Sequence, residues 1–313
     1  MLRLASVRLA LSVPIMAIVA TMTYFLVELV PGDPAAFLLG SGATSKQVSD
    51  LHHELGLDRP LIDRFLSWFG DLLHGDLGTS FVTNESTLTS LSRAMPVTVS
   101  VALLATIFTL VVGVTLGMLA AVRGGVADAF VQWFGSISMS IPNFWLAAVL
   151  VLIFAIKVPV LPATGYVPVA SSPTDWFAHL ILPTIAVGLA GVGQVAFQTR
   201  DAVADQLSRE YVRTLIAAGL PRWRILGKHV LRNASGPIVT VASIGFVFAL
   251  GAVVVVESIF GLPGVGTLML TAVRIHDLPL VQGAVLMFCL VVVVANLVTD
   301  LIVAALNPRV RLT

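Results

Sequence analysis

Charge is scarce in this chain. Charged residues fill 11% of its 313 positions, against roughly 25% in an average soluble domain. Cysteine is scarcer still. The single one, Cys289, lies in an apolar run, so neither a disulfide framework nor a thiolate metal site is available. A net charge of +1 lacks the basic excess of a nucleic-acid binder. Catalytic signatures are missing too. No G-x-x-x-x-G-K-[ST] phosphate loop occurs: the Gly227-Lys228 pair runs into His229 and has Arg222 where the first glycine belongs. Paired carboxylates, a nucleophile elbow and a metal-ligand cluster are likewise absent from the sequence pattern. His52 and His53 are neighbours that point apart on a helix, which predicts solvated imidazoles. The expectation is a chain without catalysis, cofactor or metal of its own.

Apolar sequence is what the chain has in quantity: 57% hydrophobic residues and a mean hydropathy of +0.97. A bilayer core of ~30 Å takes about 20 apolar residues as helix. Six stretches reach that length without Asp, Glu, Lys or Arg, at 9–27, 96–122, 129–156, 178–199, 233–256 and 278–299. With their flanks they predict spans at about 9–30, 96–122, 129–156, 178–199, 233–256 and 278–305. The first is longer than a signal-peptide core and no clear A-x-A site follows, so it reads as an anchor. Pro142 and Pro183 are expected to kink their spans. Lysine and arginine placement sets the orientation. Segments 1–8, 123–128, 200–232 and 307–313 hold 12 of the 18, and the remaining segments hold 6 in roughly twice the length. Both termini are therefore expected in the cytoplasm.

The longest piece outside the spans, 31–95, carries eight acidic residues against four basic ones. Thr44 is a plausible N-cap for one short helix. A second, starting near Pro60, has an apolar stripe through Leu61, Phe65, Trp68, Phe69, Leu72 and Leu73, and Gly75 and Gly78 close it. The acidic balance suggests an extracytoplasmic cap that contacts a partner through Asp33, Asp58, Asp63, Asp71 and Asp76. The alternative is a solvated loop with an amphipathic helix on the lipid surface.

The stretch "YVRTLIAAGLPRWRILGKHVLRN", residues 211–233, holds five of the basic residues. As a span those cations would cost about 2.5–3.5 kcal/mol each, roughly 15 in all, so it is not one. Tyr211, Leu215 and Ala218 recur at i, i+4 and i+7, as on an amphipathic helix. Gly219, with Pro221 soon after, ends that helix, and a new one runs from about Arg222 into the fifth span. A basic helix attracted to anionic lipid and a helix docked on a cytoplasmic partner both fit. The Ala217-Ala218-Gly219 run, which admits a close backbone, suits docking.

Polar groups inside membrane segments are expensive and often functional. Asn143, Gln194, Gln198, Glu257 and Asn296 are the candidates for a passage, and each could instead hydrogen-bond a neighbouring helix. Glu28 and Glu257 lie at the ends of spans one and five, within reach of water. Asp300 lies at the inner end of span six, close to interfacial depth.

The basic stretch resembles the cytoplasmic loop motif of ABC-importer permeases, E-A-A, then Gly, then I-x-L-P. Gly219 matches its glycine and Leu231 its leucine. Arg213 stands at the glutamate, His229 at the isoleucine and Arg232 at the proline, departures typical of the peptide-importing branch. "LVPGDP", "LGLDRPLIDRF", "GDLGTSF", "SIPNFWLA", "VVVESIFGLPGVG", "VQGAVL" and "NPRVRL" resemble that branch in the same order, and the long segment after the first span resembles its B-type subunit. The resemblance implies an all-α, six-span type I importer permease of a bacterial plasma membrane. It implies a homologous C-type permease, two cytoplasmic ATPase subunits that bind ATP and Mg, and an extracytoplasmic binding protein delivering di- or oligopeptides. Relatives with haem, nickel-complex or glycoside cargo leave the cargo open, and a secondary transporter, a channel or a receptor are the rival classes. A coupling segment at 205–222 is implied, with Tyr211, Arg213, Thr214, Leu215, Ala217, Ala218, Gly219 and Leu220 toward an ATPase.

Overall fold

The computed structural model describes residues 2–40 and 42–306, with side chains from Ser6 to Ala305 except at 41. The "NPRVRL" segment and the basic residues of 307–313 lie outside it. The described chain is helical almost throughout; its one extended pairing is the isolated bridge Thr79–Ser86. Among the described residues five helices are long and apolar enough to cross a membrane: α1 (Leu2–Glu28), α5 (Thr87–Arg123), α8 (Pro173–Ser208), α11 (Leu231–Phe260) and α13 (Leu278–Leu306). Shorter helices fall between them: α2 (Pro34–Leu39), α3 (Ser45–Glu54) and α4 (Leu61–Leu73) after α1, α6 (Gly125–Ser140) and α7 (Asn143–Val151) after α5, α9 (Glu210–Ala217) and α10 (Arg222–Arg224) after α8, and α12 (Val265–Arg274) after α11.

The expected third span, 129–156, is broken into two helices that together are apolar enough to make a sixth crossing. α6 and α7 meet at an angle of 95°, and α7 ends in a π-helical turn, Leu152–Lys157. The residue before a proline is pushed out of the helical region; Ile141 has φ −81° and ψ 122°, and Pro142 caps α7. Pro183, by contrast, sits inside a continuous α8.

The chain divides into two compact units. The first comprises Met1–Arg8, Val99–Leu262 and Val294–Thr313. α8 is its hub, packed on α6, α7 and α11. Lipid supplies no hydrophobic force between helices, so small residues that admit close backbones carry such contacts. A Cβ on Gly193 of α8 would stand 2.5 Å from the Gly135 carbonyl oxygen of α6, and Thr109 donates to the Gly188 carbonyl at 2.8 Å. Arg8, ahead of the first apolar run, pairs with Asp300 at 2.9 Å.

The second unit comprises Leu9–Thr98 and Pro263–Val293. Its short helices are set by local rules. Thr44 and Gln47 form a reciprocal capping box at α3. α4 lays Phe65 and Trp68 against Tyr24 of α1, with ring centroids 5.3 and 5.0 Å apart. Beside them Arg64 makes a bidentate pair with Glu28, both largely buried, so Glu28 does not simply face water.

Candidate functional site

The basic stretch forms a short helix with a fixed root. α8 ends at Ser208, Arg209 turns the chain in extended geometry, and α9 follows. At its C-terminus Gly219 adopts φ +74°; its N–H donates to the Ile216 carbonyl at 3.0 Å, and Leu220 N–H donates to the Leu215 carbonyl at 3.2 Å. These are the two bonds of a Schellman cap, which requires a left-handed residue where glycine is favoured. Pro221 then caps α10, and a π-helical turn, Ile225–Val230, leads into α11.

The face that α9 buries differs from the expected one. Val212 is fully buried, and Tyr211, Leu215 and Leu220 pack beside it against a core of Val195, Val203, Ile225, Val230 and Ile238. These three expected docking residues thus serve the chain's own core. Ala218 lies at the exposed end of the helix, so the inward arc is centred between Val212 and Leu215. Arg213, Thr214, Ala217, Ala218 and Gly219 face outward together, and among the described residues nothing beyond its own chain neighbours lies within 4 Å of a Cβ built on Gly219. Two outward residues escaped the sequence reading: Ile216 is 59% exposed and Trp223, under the Arg224 guanidinium, is 70% exposed. An exposed Ile amid a basic helix was the available signal.

Close to this root, Arg200 of α8 grips Asp128 of α6 with two parallel bonds of 3.0 and 2.8 Å and reaches Asp201 at 2.7 Å. A fork of this kind fixes direction as well as distance.

Of the five passage candidates, Asn143 and Gln194 come together. Both line a cavity of about 200 Å³ among α5, α6, α7, α8 and α11, with Thr106, Thr109, Met139 and Phe246. Neither amide has a hydrogen-bond partner among the described residues, and the lining holds no charged group. Gln198 lies one turn further along α8, outside that lining, and Asn296 is exposed on α13. Glu257, expected within reach of water, is 0% exposed in the last turn of α11, and its carbonyl accepts from Leu262 N–H at 2.9 Å.

The aspartates of 31–95 separate in the same way. Asp33 caps α2, accepting from Ala35 and Ala36 N–H at 2.9 and 3.3 Å and bonding His52 Nε2 at 2.7 Å. Burial works against its charge, but the His52 ring and the two N–H groups outweigh it and hold the carboxyl below the usual range. Asp58 pairs with His53, which stays 83% exposed as expected, whereas His52, also expected to be solvated, is partly buried against Asp33. Asp76 accepts from Gly78 N–H at 2.8 Å, whereas Asp63 and Asp71 are exposed on α4. The sequence reading missed Asp277. It is fully buried and accepts from the Ser80 hydroxyl and from Phe81 N–H at 3.2 Å, closing a link across 196 positions.

With this geometry in hand, known proteins offer a comparison. Residues 113–312 match the pattern described as binding-protein-dependent transport system inner membrane component, and residues 1–102 match its N-terminal part. The chain is 37% identical over 305 residues, 97% of each chain, to a protein named as a peptide transport system permease of Brucella abortus. It is 34% identical over 300 residues to the glutathione transport system permease protein of Salmonella typhimurium, covering 96% of this chain and 95% of that one. Among solved structures, a chain of the inward-facing MetNI methionine ABC transporter superposes with a TM-score of 0.53 at 16% identity, over 70% of this chain and 97% of that chain. That likeness shows a shared fold.

Proposed function

The chain belongs to the family of binding-protein-dependent transport system inner membrane components, and from that premise we propose that it forms one side of a path for di- and oligopeptides in an ATP-driven importer. The observation that carries this reading is the end-to-end likeness to a peptide permease, 37% over 97% of both chains. The rest of the complex follows by the same inference: a homologous C-type permease, two cytoplasmic ATPase subunits holding ATP and Mg, and an extracytoplasmic binding protein. This subunit itself catalyses nothing. Both termini lie in the cytoplasm of a bacterial inner membrane, residues 31–95 form an outer cap, and 205–222 is the coupling segment.

The mechanism rests on how α9 is held. Its inner face belongs to the same core as α8, the π turn and α11, so a push on Arg213, Ile216, Ala217 and Ala218 moves the roots of two spans together. π turns replace i→i−4 bonds with wider ones and often mark functional sites; the one at Ile225–Val230 sits where that push enters α11. The neutral cavity at Asn143 and Gln194 supplies amide groups for a peptide backbone without a charge that would trap either terminus.

Gly219 is a poor place to test docking, because φ +74° strains any side chain there regardless of a partner. Ala218, with helical φ and open surroundings, is cleaner. Ala218→Trp is expected to leave the chain inserted and copurifying with its second permease, while peptide uptake per ATP hydrolysed falls at least about tenfold, the equivalent of ~1.4 kcal/mol. Normal uptake by this variant would refute the docking role. A chain that purifies as a solitary homo-oligomer would refute the importer.

A further inference from the structure

The second unit contains a cleft that the passage does not use. It has a volume of about 420 Å³ at the C-terminal end of α1, between α4, the 78–84 loop and the start of α13. Its charges do not cancel in place. Glu28 and Arg64 neutralise each other. Arg59 donates only to the Ser67 hydroxyl, at 3.3 Å, and Glu54 and Asp71 form no ion pair among the described residues. One cation and two carboxylates are left facing one space. At its floor lies Gln282 of α13, only 4% exposed, with no hydrogen-bond partner for its amide among the described residues. That amide is not fully enclosed, so it opens onto the cleft, where it can both donate to and accept from a visitor. Trp68 and Tyr24 supply an aromatic wall.

We propose that this cleft is a reception site for a short peptide with both ends free, occupied between the binding protein and the passage; the proposal rests on the peptide-importer reading above. Each element matches a part of that ligand. A guanidinium takes a terminal carboxylate through a charge-assisted pair. Glu54 and Asp71 take the terminal ammonium. Gln282, which can both donate and accept, takes a backbone amide. The volume falls in the range of small-molecule sites, ~300–1,000 Å³. A lipid headgroup would supply charge but no backbone amide for Gln282, and a single ion would leave one of the two charge signs unused.

The test uses the complete transporter in nanodiscs, without binding protein, and the tripeptide Ala-Phe-Ala as probe in saturation-transfer NMR. Binding to the native complex is expected, weakened at least about tenfold by Arg59→Gln and comparably by Gln282→Leu. The probe's C-terminal amide is expected to bind the native complex as weakly as the free acid binds Arg59→Gln. Arg59 is exposed, so its replacement does not threaten folding. Equal binding by native and variant complexes, or none by the native one, overturns the site. So does a variant effect seen only as loss of affinity for the binding protein, which makes the cleft a protein contact. ATP-driven uptake of Ala-Phe-Ala by the native system with its binding protein is measured alongside. Uptake without cleft binding sinks the site alone, and no peptide uptake sinks the importer reading.

Discussion

The two units lean on different contacts, although an ion pair, Arg200–Asp128, also braces the first and a close glycine contact, Gly283 on Thr87, the second. In the first, α8 meets α5 and α6 through Gly188, Gly191 and Gly193, where an added Cβ would strike a neighbour within 3 Å. In the second, buried or half-buried charge does the fastening: Arg64 on Glu28, His52 on Asp33, and Asp277 on Ser80 and Phe81. The contrast follows from solvent. Helices surrounded by lipid gain little from burying more hydrocarbon, so they gain by approaching closely. Loops in water can hold charge at low cost, and they use it for direction where a small apolar core gives none.

Substitutions can break this contrast, and the largest effect is expected where close approach is tightest. Gly193→Leu forces a side chain into the Gly135 backbone and should destabilise the first unit by about 3 kcal/mol. Thermal unfolding of the detergent-solubilised protein reads this, and a variant as stable as the native chain would mean that α6 and α8 do not cross there. Next comes Asp277→Ala, which strands the Ser80 hydroxyl and Phe81 N–H and should cost about 2 kcal/mol. Faster proteolysis confined to the 78–86 loop is its expected signature.

The smallest effect concerns pH. Because Asp33 is held below its ordinary value, its stabilising contribution is complete above about 3.8 and fades as pH falls through and below that value. Hydrogen-exchange protection of α2 should hold from pH 6 down to about pH 4 and drop below that in the native chain. In Asp33→Asn, which keeps an acceptor for the α2 cap but cannot titrate, it should stay flat. A parallel loss in both would remove Asp33 as the cause.

Several local features were legible from spacing alone. Thr44 as an N-cap, a helix start near Pro60, and Gly219-Leu220-Pro221 at the end of α9 follow rules that act within a few residues, and each stands where the pattern placed it. The 95° bend at Ile141-Pro142 was half-legible: proline announced an interruption, but its size depends on what α6 and α7 pack against. The candidate site divides along the same line. Arg213, Ala217 and Ala218 face outward, whereas Tyr211, Leu215 and Leu220 are inward because α8 and α11 provide a core for them.

By itself, the sequence determined which stretches are apolar enough to cross a membrane and where a basic segment must stay in water, since both depend on residues within one or two turns of each other. Only the tertiary structure decided which polar groups meet. Glu257 is enclosed, Asn296 is exposed, Asn143 shares a cavity with Gln194, and Asp277 finds Ser80 from 197 positions away. Such pairings carry no local signal, because the cost of an unpaired polar group is felt only once helices distant in sequence have closed around it.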